Sequence, residues 1–99
     1  MLNIEQKKDG TNLEIALSGR LDTTTVGQLE EVTNTGLAGI TELVFNLAEL
    51  EYISSAGLRV LLASQKVMNK QGSMVVTNVK EEVNEIFEVT GFSDILTIR

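Results

Sequence analysis

Apolar and polar positions change period several times along the chain, and each change marks an element. Residues 12–18 alternate strictly, with Leu13, Ile15 and Leu17 on one side and Glu14, Ala16 and Ser18 on the other. That is the two-residue period of a half-buried strand. Residues 2–6 alternate more weakly ahead of the polar turn Lys7-Lys8-Asp9-Gly10, so the two runs predict an antiparallel hairpin. Residues 18–22 read as a loop. Residues 22–25 offer four successive helix caps, and Thr25 with Gln28 has the spacing of a capping box. Val26, Leu29, Val32 and Leu37 then recur at helical spacing, with Gly36 or Gly39 as the stop.

The second half repeats this alternation of strand and helix. Residues 42–47 are apolar apart from Glu42 and Asn46, which predicts a central strand buried on both faces, and residues 48–53 read as a loop. Leu58, Leu61, Leu62, Gln65 and Met68, broadened by Val60 and Val67, form the strongest helical stripe, closed by Gln71-Gly72. Met74-Val75-Val76 predicts a short buried strand, so residues 42–77 form a βαβ unit, parallel and right-handed. Asn78 with Glu81 predicts the cap of a third helix. Its inner side is Val83, Ile86, Phe87 and Thr90, its solvated side Glu81, Glu82, Glu85 and Glu88, and its terminator Gly91. Residues 95–98 predict a last strand. The expected order is ββαβαβαβ, an α/β fold in which one mixed sheet is covered by helices, with residues 1–99 as one domain.

Composition narrows what such a domain does. Only 4% of residues are aromatic, so the core is aliphatic. The net charge of −6 argues against nucleic acid and anionic membranes as partners. Cysteine and histidine are both absent, which removes disulfides, thiol chemistry, the usual zinc ligands and histidine-dependent catalysis. No apolar run approaches the ~18 residues of a membrane span, and the first residues do not form a signal peptide. The expectation is a cytoplasmic protein without cofactor or metal.

Within this frame the stretch Glu51-Tyr52-Ile53-Ser54-Ser55-Ala56-Gly57-Leu58 stands out, because two serines and two small residues separate a strand region from the strongest helix. Serine at a helix start most often only caps the first turn. The same turn could also cradle an anion, hold a nucleophile or present a hydroxyl for modification. A nucleophile is disfavoured: G-x-S-x-G and Ser-x-x-Lys are missing, and no histidine can act as base. The phosphate-loop motif G-x-x-x-x-G-K-[ST] is missing as well. The protein is therefore not expected to be an enzyme.

Four places in the sequence resemble the STAS domain of the bacterial anti-sigma factor antagonist type. Ser18-Gly19-Arg20-Leu21-Asp22 is similar to the family's G-x-[IL]-D loop, and Val44-Phe45-Asn46-Leu47 to its V-x-[ND]-L strand. Tyr52-Ile53-Ser54-Ser55-Ala56-Gly57-Leu58 is similar to its central serine signature, and Gly91-Phe92-Ser93-Asp94-Ile95 to its ending after the last helix. The resemblance implies a protein that binds an anti-sigma factor with serine-kinase activity when unphosphorylated and so releases a sigma factor. A serine phosphatase restores the binding form. Matched position by position, the phosphorylated serine is Ser55, with Ser54 as the second candidate, since many members carry Asp at that place. The implied partner surface is Asp22, Thr23, Ser54, Ser55, Ala56 and Gly57. Asp22 has an equally good reading as a cap for the first helix, and Gly57 one as a site of close packing. A rival reading within the same resemblance is a STAS module that acts by assembly, in a sensor complex, beside a transporter or as a lipid-transport regulatory subunit, with no phosphoserine switch.

Overall fold

A computed structural model describes residues 1–99. The chain runs β1 (Leu2–Asp9), β2 (Asn12–Leu21), α1 (Val26–Gly36), β3 (Glu42–Ile53), α2 (Ser55–Gln71), β4 (Ser73–Thr77) and α3 (Glu81–Thr90), followed by a 3-10 turn at Phe92–Asp94. The four strands form one sheet in sequence order, β1 antiparallel to β2 and the other pairs parallel. This is the expected α/β class, and the βαβ unit is in place. No helix is long and apolar enough to cross a membrane.

The alternation of residues 12–18 decides which face is covered. Leu13, Ile15 and Leu17 are buried, as are Leu43, Phe45 and Leu47 of β3 and Met74 and Val76 of β4. They join one apolar cluster with Leu29 of α1, Leu58, Leu61 and Met68 of α2, and Val83 and Phe87 of α3. Their neighbours Glu14, Ala16, Val44, Asn46, Val75 and Thr77, on the other face, are only half-buried. All three helices therefore lie on one face, as right-handed crossovers advancing through β2, β3 and β4 require. The expectation that β3 is buried on both faces is corrected accordingly. Its outer face carries a polar chain: Asn46 Nδ2 donates to Glu14 Oε2 at 3.2 Å, and Asn46 Oδ1 accepts from Asn78 Nδ2 at 3.2 Å.

Several boundaries also move. Of the loops expected at 18–22 and 48–53, residues 18–21 are the end of β2 and residues 48–53 the end of β3. β3 carries two extra residues against β2, between the pairs Ala16↔Asn46 and Arg20↔Tyr52. Such bulges break the period of two and re-aim the strand end, which hides the strand from a periodicity reading. The last strand, expected at 95–98, is reduced to one bridge, Val76↔Ile98. Gly91 in the left-handed conformation (φ 80°) and the 3-10 turn after it use the residues that a longer strand would need. α3 is capped at Lys80 rather than Asn78, which instead takes a left-handed backbone (φ 57°) that Asn tolerates. In α2, Val67 is exposed: nine residues beyond Leu58, it lies about 180° away around the helix.

Candidate functional site

The ends of β2 and β3 bring the two sequence-distant motifs together. Leu21 pairs with Ile53, and Ser54 N–H donates to Leu21 O at 2.8 Å, so Asp22 and Ser54 leave the sheet side by side. From there β2 passes into a threonine-rich turn and β3 directly into α2.

The two serines divide the work. Ser54 has extended backbone (φ −93°, ψ 174°) and caps α2: its Oγ accepts from Gly57 N–H at 3.4 Å, and its carbonyl accepts from Leu58 N–H at 2.9 Å. Ser55 is the first residue of the helix and is exposed, with its hydroxyl free of protein partners. Ala56 is half-buried beside it. Gly57 is buried, and a Cβ there would lie 2.8 Å from Ile53 Cγ1 and from Leu21 Cγ. Its place is under the site rather than on it: the missing side chain lets α2 seat against the two strand ends.

Asp22 organises its own turn. Its Oδ1 accepts from Thr24 N–H at 2.9 Å and from Thr24 Oγ1 at 2.6 Å, an Asx-type turn. The Thr24 hydroxyl, then the Thr24 N–H, hold the carboxyl below its ordinary value, helped by Thr25 and opposed by partial desolvation. The reading of Asp22 as a cap thus holds for the turn before α1, not for the helix amides. Thr25 does not form the expected capping box. Its buried hydroxyl donates to Arg20 O at 2.9 Å and accepts from Asp22 N–H at 2.9 Å, which closes the turn from within. Thr23 is the exposed tip.

Arg20 and Tyr52 belong to the same surface, although sequence reasoning gave neither a role. They are paired across β2 and β3, with the guanidinium 4.4 Å from the Tyr52 ring centroid and its Nε 3.7 Å from Asp22 Oδ2. The stack and the ion pair steady the carboxylate from outside, as the threonines do from inside. The signal that could have found them is an Arg two residues before the Asp and a Tyr two before the Ser, on adjacent parallel strands. A groove of about 420 Å³ runs between α1 and α2, lined by Val26, Glu30, Ala56 and Arg59 among others.

This surface combines an exposed hydroxyl at a helix start with a fixed carboxylate turn beside it. It has the shape and polarity to meet another protein or to carry a phosphate. Known proteins share this chain's sequence pattern and fold. The STAS domain family matches residues 3–99. The anti-sigma-B factor antagonist of Staphylococcus aureus is 30% identical over 99 residues, covering 98% of this chain and 92% of that protein. The crystal structure of an anti-sigma factor antagonist from Mycobacterium paratuberculosis superposes with a TM-score of 0.89 at 20% identity, covering 99% of this chain and 85% of that one. SpoIIAA, an anti-sigma factor antagonist, matches in its unphosphorylated form with a TM-score of 0.83 at 18% identity over 98% of this chain and 88% of that one. Its phosphorylated form matches with a TM-score of 0.77 at the same identity, over 98% and 91%. By sequence along almost its whole length, and by fold, this chain belongs to the STAS domain proteins of the anti-sigma factor antagonist family.

Proposed function

We propose that this protein is a non-enzymatic, cytoplasmic regulator that binds an anti-sigma factor through the surface formed by Asp22, Thr23, Ser54, Ser55 and Ala56, with Gly57 beneath it. In this reading the anti-sigma factor is also a serine kinase. It transfers the γ-phosphoryl group of ATP to Ser55 Oγ, the hydroxyl proton is lost and ADP leaves. Hydrolysis by a serine phosphatase returns the hydroxyl and free phosphate. The observation that carries the assignment is the division of labour between the serines. Ser54 is committed to capping α2, whereas Ser55 is exposed and free. A phosphate there is welcomed by the first-turn N–H groups and the positive end of the helix dipole. SpoIIAA keeps the shared fold in both its phosphorylated and unphosphorylated forms, which supports a switch at the surface.

The test is to incubate the protein with ATP and an anti-sigma factor that has serine-kinase activity, and to locate phosphate by mass spectrometry. Ser55→Ala is expected to abolish labelling and Ser54→Ala to leave it at least partly intact. The reverse pattern moves the site to Ser54, and labelling of neither serine favours a module that works by assembly alone.

A further inference from the structure

Charge is unevenly distributed in this chain. The net charge is −6, yet α2 carries Arg59, Lys66 and Lys70 and no acidic residue. Lys70 lies in the last turn, where a cation suits the helix dipole. Arg59 instead follows Ser55 by four residues, and on an α-helix such residues share a face with Cβ atoms about 5–6 Å apart. Both side chains are exposed. Arg59 makes no ion pair, because the one salt bridge of the molecule joins Arg20 to Asp22. Arg20 is already stacked on Tyr52 and paired with that carboxylate. The guanidinium of Arg59 is thus the uncommitted cation of the site. It borders the groove between α1 and α2, where Ala56 and Ala63 leave it room and the one carboxylate, Glu30, is not bonded to it.

We infer that Arg59 is the phosphate-reading residue of the site, pairing with a phosphate on Ser55 across one turn of α2. This rests on the reading of Ser55 as phosphoacceptor. The order is the favourable one, with the anion four residues before the cation. A guanidinium offers parallel N–H donors that match phosphate oxygens. Lys66, eleven residues beyond Ser55, lies about three turns away and cannot reach it. Phosphorylation then changes the surface twice: it adds a dianion, and it withdraws a free guanidinium from any partner.

The test places phosphoserine at position 55 during translation, so that no kinase is needed, and follows its 31P shift against pH. The phosphate passes from monoanion to dianion near pH ~6, and a neighbouring cation favours the dianion. Arg59→Gln is expected to raise that midpoint by about 0.2–0.4 units, the size of one exposed i, i+4 ion pair. Arg59→Lys should restore part of the difference, Lys66→Gln should leave it unchanged, and molar salt should shrink it. A midpoint indifferent to Arg59→Gln overturns the pairing. Kinase treatment of the unmodified protein is read separately. If Ser55 goes unlabelled while the midpoint still responds to Arg59, the phosphorylation reading fails and the pairing stands. If Ser55 is labelled but the midpoint does not respond, the pairing alone fails.

Discussion

A methyl group added at Gly57 would lie 2.8 Å from Leu21 Cγ and Ile53 Cγ1, well inside contact distance, whereas one at Gly27 in α1 would meet nothing within 4 Å. Gly57→Ala is therefore expected to cost about 1–3 kcal/mol as an overpacked contact, and Gly27→Ala to gain about 0.5–1 kcal/mol from helix propensity alone. Urea unfolding of both variants checks this, and an unchanged midpoint for Gly57→Ala would mean that α2 is not seated on the strand ends as described. The Asp22 carboxyl supplies a pH signature. Hydrogen bonds from the Thr24 hydroxyl and N–H lower its folded pKa below the ordinary 3.8. The folded state thus binds this proton more weakly than the unfolded chain. Its stabilisation is complete above about pH 4 and is lost as pH falls through the lowered folded value. Asp22→Asn is expected to be less stable than the wild type at pH 7, by a gap that narrows as pH falls below about 4. If denaturant melts give a constant gap across that range, the carboxylate is not the stabilising form.

At the scale of elements, α2 separates two leucines that sequence reading treats alike. Leu61 is fully buried, while Leu62 is only half-buried. Leu61→Ala is expected to cost about 2–5 kcal/mol, as buried leucines do, and Leu62→Ala less than half as much. Equal losses in denaturant melts would show the helix rotated from its described face. Elements with an unbroken period were legible in the sequence: the alternation of β2, the core stripe of α2, the left-handed stop at Gly91. What was not legible depends on distant partners. The bulges that carry β3 to Ile53 exist only relative to β2. Thr25 has the spacing of a capping box, but its hydroxyl finds a better acceptor in Arg20 O. Of the site, the serine turn could be read directly, because caps are local. The stack of Arg20 on Tyr52 could not, since only the pairing of two parallel strands creates it.

For the molecule as a whole, the site lies at one end of the sheet with the exposed Ser55 outside the core residues Leu21 and Ile53, so a charge added there need not disturb the fold. A phosphate on Ser55 adds about −1.5 to −2 units of charge at neutral pH, at a helix start where anions are stabilised by ~0.3–1 kcal/mol. Under the proposed switch, the phosphorylated protein is expected to melt at or above the temperature of the unmodified form, with an unchanged circular dichroism spectrum, and yet to bind an anti-sigma factor at least ~100-fold more weakly. That loss needs only ~2.7 kcal/mol of mismatch at the interface. Calorimetry on both forms decides this, and a markedly lower melting temperature or an undiminished affinity would rule out a switch at the interface. The bond from Ser54 N–H to Leu21 O has a further consequence, in time rather than in space. It links residues far apart in sequence through a parallel strand pairing, the kind of contact that forms slowly because a long loop must close first. A newly made or unfolded chain already carries Ser55, but not yet the Asp22 turn beside it. The surface that holds both groups side by side thus exists only once the chain has folded.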